Sequence, residues 1–271
     1  MMKADDFTYD NETLSSRGFI IASLGSGGGE QTIDTDSQRT FTSASLFYGK
    51  YQPFICSTYE DRLELSFSII KNPCDNDLIE ITQNELRDLK RWLNRPNAHK
   101  LSFNDPDFKI IFWNGSFNLE EVYFEGVPYA VNLRFISDRP FAYEDECAFT
   151  GELGANESVD IYDKSDDEGY LYPTVVIKCL EGGDLTLTND NNGSYRETVV
   201  KNCVSGEILT FSSLLQITSS VDTHKLGKDF NYKFLRLGNA YTEESRINTL
   251  TSSLPIVYDI RYYPIVKAVI A

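Results

Sequence analysis

The chain has 271 residues, of which 41% are hydrophobic and 13% aromatic, and 41 acidic against 25 basic side chains give it a formal charge of −16. Such a content buries a real core and excludes a disordered chain. The acidic balance excludes a general nucleic-acid binder, which needs a basic face toward the phosphates, and it opposes an anionic membrane surface.

The opening stretch MMKADDFTYDNE is polar and acidic and lacks an apolar core of signal-peptide length. No later stretch approaches the roughly 20 apolar residues of a membrane-spanning helix. Residues 18–34 read GFIIASLGSGGGEQTID, an apolar strand running into glycines. A dinucleotide fingerprint would need a third glycine where Glu30 stands, and a Walker loop would need a lysine, yet none occurs between Lys3 and Lys50. No helical period follows to supply an anion-binding N-terminus. Residues 25–34 are therefore expected to be an exposed, mobile excursion whose glycines supply conformational freedom.

Next, Leu63, Leu65 and Phe67 alternate with polar neighbours, the period of a half-buried strand. A helix is expected over residues 81–96, ITQNELRDLKRWLNRP. Thr82 and Glu85 fit the T-x-x-E capping box, and Ile81 and Leu86 fit a hydrophobic staple. Leu86, Leu89, Leu93 and Trp92 make one apolar stripe, Arg91 and Arg95 suit the C-terminal dipole, and Pro96 stops the run. Further strands are expected at 109–117, 122–126 and 130–137, with Asn114-Gly115 as a turn between two of them.

After Pro140 the texture changes to short, evenly spaced strands with no helical pattern. YPTVVIKCL is followed by Gly182-Gly183, DLTLTND by Asn192-Gly193, and SYRETVV by Ser205-Gly206; EILTF, LLQITS and LPIVYDIRYYPIV complete the series. That spacing predicts a β-sandwich or jelly roll. The expected fold is mainly β, with an N-terminal β-barrel or sandwich domain carrying one helix over residues 1–139 and a second β-sandwich over residues 140–271.

Motifs for chemistry are missing. Cys56, Cys74, Cys147, Cys179 and Cys203 are odd in number and scattered without a C-x-x-C, which predicts free thiols made in a reducing cytoplasm and no zinc site. His99 and His224 belong to no nucleophile motif. The acidic loops at 104–108 and 163–169 lack calcium-loop spacing, and the 188–195 segment reads as a hairpin tip. No catalytic residue, cofactor or metal site is expected. Aromatic pairs such as Tyr123-Phe124 and Tyr262-Tyr263 point to core or interface packing. Tyr162, Tyr170 and Tyr172 are the candidates for an alternative reading, a carbohydrate-binding module of an adhesin or glycosidase.

The order of features carries a resemblance. Residues 51–93, YQPFICSTYEDRLELSFSIIKNPCDNDLIEITQNELRDLKRWL, are followed by LSFNDPDF, by VYFEGVPYAVNLRFISDRPFAYEDE, and at the end by IVYDIRYYPIV. This resembles the distal tail proteins of long-tailed, non-contractile bacteriophages. The resemblance implies an N-terminal domain that assembles into a homohexameric ring around the tail channel, and an outward-facing, galectin-like C-terminal domain. It also implies a structural, non-enzymatic hub at the virion's tail tip. Its partners would be the tail tube protein, a tail-tip or tail-associated hub protein and receptor-binding proteins, and it would be assembled in the host bacterial cytoplasm. Sugar-binding galectins carry a histidine-bearing strand and a Trp-Gly-x-Glu segment. Neither occurs here, since both Trp92 and Trp113 lie in the first half.

Overall fold

The computed structural model describes residues 6–22, 39–45, 53–59, 62–74, 80–104, 111–240 and 242–267. The glycine-rich residues 25–34, Phe47 and Tyr48, and residues 105–108 of the first acidic loop lie outside this set. The chain divides into one compact unit of residues 1–143 with 267–271 and a second of residues 144–266. The architecture is mainly β.

In the first unit the strands are β1 (Phe7–Tyr9), β2 (Glu12–Thr13), β3 (Phe19–Ala22), β4 (Arg39–Ser45), β5 (Pro53–Tyr59) and β6 (Glu64–Lys71). Helix α1 (Gln83–Leu93) follows, then β7 (His99–Phe103), β8 (Trp113–Phe124), β9 (Val127–Ser137) and β10 (Ala142–Tyr143). Seven strands form one antiparallel sheet in the order β2-β1-β7-β8-β9-β6-β3, while among the described residues β4 and β5 pair only with each other. The large sheet is strongly curled. Strands β1 and β6 stand four places apart, about 19 Å in a flat sheet. Yet the Phe7 and Phe67 rings meet edge to face at 5.7 Å. That closure makes the barrel-like core of Phe7, Tyr9, Phe103, Trp113, Phe117 and Phe135, with Phe67 packed against it.

Helix α1 plugs this core. The Thr82 side chain accepts the Glu85 backbone N–H while the Glu85 carboxylate accepts the Thr82 N–H, the reciprocal cap expected from the sequence. Leu86, Leu89, Trp92 and Leu93 are buried. Trp92 stacks on Phe7 at 5.7 Å and donates its indole N–H to the Tyr9 carbonyl at 3.1 Å. Lys71, itself nearly buried, pairs with Glu85 at 2.8 Å, which ties the helix cap to β6.

Two sequence expectations are corrected here. Asn114-Gly115 is not a turn but lies inside the single long strand β8. Glycine is required there by close approach: a Cβ would sit 2.3 Å from the Ile136 carbonyl and 2.5 Å from the Phe135 ring. The actual turn is Glu125-Gly126, with φ of 50° and 84°, the left-handed pair of a tight hairpin turn. The LLQITS run is not all strand either. Leu214 and Leu215 belong to a turn closed by the Leu215 N–H on the Ser212 carbonyl at 3.0 Å, and the strand begins only at Ile217.

The second unit holds β11 (Cys147–Leu153), β12 (Ser158–Tyr162), β13 (Gly169–Leu171), β14 (Thr174–Cys179), β15 (Gly183–Asn191), β16 (Ser194–Cys203), β17 (Ile208–Phe211) and β18 (Ile217–Ser219). A short helix α2 (Leu226–Asp229) precedes β19 (Leu237–Asn239), β20 (Ile247–Ser252), β21 (Ile256–Tyr262) and β22 (Ile265–Val266). A five-stranded sheet β11-β21-β14-β17-β18 and a four-stranded sheet β12-β20-β15-β16 contribute to one core. Val175, Ile177, Leu209, Phe211 and Ile260 come from the first, and Ile161, Leu185, Leu187, Val200 and Leu250 from the second. This is the sandwich that alternating strands require. The β15–β16 turn falls at Asn192-Gly193, with φ of 49° and 83°, at the hairpin tip expected from the sequence. Asn248, fully buried, replaces strand pairing at the end of this sheet by accepting the Gly238 N–H and donating to the Gly238 carbonyl.

Candidate assembly surface

The residues that sequence reading weighed for chemistry are structurally engaged. His99 opens β7, 3.4 Å from Asp10 and edge-on to the Tyr9 ring. His224 is enclosed against Glu207. In the 163–169 loop, Asp163 is buried and its carboxylate accepts the Ser165 N–H and hydroxyl at 3.0 and 2.8 Å, so it organises a turn. No group of histidine, cysteine and carboxylate side chains that could hold a metal occurs among the described residues. Cys74, Cys147, Cys179 and Cys203 are free thiols, two of them buried. No helix among the described residues is long and apolar enough to cross a membrane.

The three tyrosines considered for sugar stacking do not make a platform. The Tyr162 hydroxyl donates to Glu243 at 2.6 Å, the Tyr170 face is covered by the Arg236 guanidinium at 3.5 Å, and Tyr172 is half-buried. No ring contact joins them.

The exposed apolar groups gather elsewhere. Strand β7 reaches β8 only at Trp113, Asn114 and Gly115, and β6 leaves β9 at Ala130. Beyond those points, among the described residues, the strands of the β8–β9 hairpin pair only with each other, and the hairpin ends in Tyr123, Phe124 and Val127, which are 53%, 67% and 38% exposed. The base of this tip is braced. Lys90 on α1 meets Glu121 at 2.6 Å, and the Tyr123 hydroxyl donates to the same carboxylate. The Lys90 and Tyr123 hydrogen bonds hold the Glu121 carboxyl below its ordinary range, and the bond to Glu121 raises the Tyr123 hydroxyl above its own. On the other strand the Ile81 N–H binds the Pro128 carbonyl at 2.8 Å. The tip thus presents two adjacent exposed aromatics on a braced ribbon.

The second unit has an exposed apolar group of its own on its five-stranded sheet. Ile208 and Val257 stand out from β17 and β21, and Leu214 is 79% exposed at the β17–β18 turn beside Leu215, whose φ is 58°. A leucine held in the left-handed region costs on the order of 1 kcal/mol or more, so this turn shape is fixed by its neighbours.

Sequence reading named Tyr123 and Phe124 but not their place at a tip, and it missed the leucine turn. The sequence signal for the tip is Glu125-Gly126 between two apolar runs of matched length; the stronger Asn-Gly dipeptide upstream draws attention away from it.

The first half of the chain, residues 2–139, matches the family model described as a phage tail protein N-terminal domain. Residues 141–262 match the one described as a phage tail C-terminal domain. The fold is similar to the crystal structure of the Dit protein (gp 19.1) of phage SPP1, described as a paradigm of the hub adsorption apparatus in phages infecting Gram-positive hosts. The TM-score is 0.66 over 95% of this chain and 98% of that one, at 13% identity, which is a likeness of fold. No curated protein sequence matches the chain.

Proposed function

This chain belongs to the phage tail protein family whose N- and C-terminal domains it carries, and on that premise we propose that it is the distal tail hub, a homohexameric ring joining the tail tube to the tail-tip and host-recognition proteins. The observation that carries the reading is the match of both halves to tail domains, supported by a Dit-like fold along almost the whole length.

Ring formation is assigned to the domain of residues 1–139, and an outward, galectin-like sandwich to residues 140–271. Two features of the first support assembly. The β8–β9 tip exposes aromatics that a monomer gains nothing by exposing. Among the described residues the β4–β5 ribbon pairs with no other strand, and a two-stranded ribbon is marginally stable by itself, so a neighbouring subunit is a natural place for it to dock. The second domain is a scaffold for tail partners: Tyr162 is bonded to Glu243 and the Tyr170 face is covered by Arg236. The role is structural, without cofactor or metal, and the site of action is the tail tip of the virion, after assembly in the host cytoplasm.

Gold labelling of intact virions with an antibody to this chain tests the placement. Label confined to the distal end of the tail agrees with the hub. Label on the head, or along the tube, overturns it.

A further inference from the structure

The outer edge of β16 borders the four-stranded sheet, and an open edge of this length is a template for unwanted strand pairing. It is not open here. Its outward carbonyls recur every second residue, at Glu197, Val199 and Lys201, and each receives a donor from the segment 221–234. The Asn231 side-chain amide binds the Glu197 carbonyl at 3.0 Å, the Asn231 N–H binds Val199 at 3.1 Å, and His224 Nε2 binds Lys201 at 2.9 Å. Phe230, buried, forms a bridge to Val200, and the Asn202 side chain donates to Asp229 at 3.0 Å. The segment imitates a strand without being one.

Its His224 end depends on a proton. The other ring nitrogen, Nδ1, lies 2.5 Å from Glu207 Oε1, and the two side chains are 3% and 0% exposed. Glu207 also accepts the Ser219 hydroxyl and the Val204 N–H. Asp229 lies 3.6 Å from Nε2, and Cys203 is a further titratable group that acts on the ring. A neutral imidazole has one N–H. Whichever nitrogen kept it, the other would turn a lone pair toward the Glu207 carboxylate or the Lys201 carbonyl. Only the imidazolium satisfies both contacts.

We propose that residues 221–234 are a proton-gated strap: with His224 protonated they close the β16 edge, and when His224 loses its proton that end lifts and leaves the edge free to pair with another strand. Burial pushes the imidazole down, but the hydrogen bond and charge of Glu207 override it and raise His224 above its ordinary 6.5, so the strap is closed at neutral and mildly acidic pH and opens on the alkaline side.

The test is hydrogen exchange on the full chain, read as protection factors corrected for the intrinsic rate at each pH. Between about pH 6 and about pH 9, protection of the Asn231 amide, which binds the Val199 carbonyl on the edge, is expected to fall as the strap peels from its His224 end, by at most about tenfold per pH unit while His224 titrates. Amides of the β15–β20 pairing should hold. Glu207→Gln supplies the discriminating arm, because its amide can donate to a neutral Nδ1 and keeps the strap closed without the proton. Its protection should be independent of pH. A wild-type strap whose protection does not change over that range overturns the proposal, as does a folded E207Q variant that keeps the wild-type slope.

Discussion

Glu207 carries its charge at 1% exposure, and it can do so because three donors converge on it. Burial alone would raise its carboxyl. The hydrogen bonds from Ser219, His224 and Val204 reverse this and hold it below its ordinary 4.5. The sign of the pH effect follows from both partners. The lowered Glu207 contributes stability that is full above pH 4.5 and is lost as pH falls through its folded value. The raised His224 contributes stability that is full below pH 6.5 and is lost as pH rises through its folded value. Urea midpoints of the second unit's transition should therefore be highest between pH 4.5 and 6.5 and fall on both sides. His224→Gln should flatten the alkaline limb. A second residue-scale test concerns Trp92. Trp92→Phe keeps most of the stacking on Phe7 but leaves the Tyr9 carbonyl without its donor inside the core, so a loss of about 1–3 kcal/mol is expected in chemical denaturation.

Among the elements, the β8–β9 hairpin separates folding from assembly. Tyr123 and Phe124 lie beyond the part of the sheet that β6 and β7 cover, so replacing both by serine should shift the unfolding free energy by no more than about 0.5 kcal/mol. The same double substitution should abolish or weaken subunit association, which sedimentation velocity would read directly. The elements also differ in how far local sequence determines them. Helix α1 was legible because its cap, staple and stripe are written within residues 81–93, each contact three to five positions apart. The sandwich strands were legible because alternation and Asn192-Gly193 are equally local. Gly115 was misread because its glycine answers to Phe135 and Ile136, which are brought against it by strand pairing. Leu214 and Leu215 were misread because apolar character alone cannot tell a strand from an exposed turn. The Glu207–His224 pair was invisible for the same reason, since 17 positions and an intervening hairpin separate its members.

For the molecule as a whole, two compact β units with separate cores account for the large apolar interior that composition predicted. In the proposed ring, a formal charge of −16 on each copy sets a repulsion that the contact surfaces must outweigh. Screening shortens that repulsion to about 10 Å at 0.1 M salt, so association is best measured at or above this ionic strength. Native mass spectrometry of the full chain, with negative-stain imaging of the same sample, tests the central claim most directly. The account predicts a six-copy species that images as a closed ring. A chain that stays monomeric at every concentration, even with its tail partners added, would contradict it.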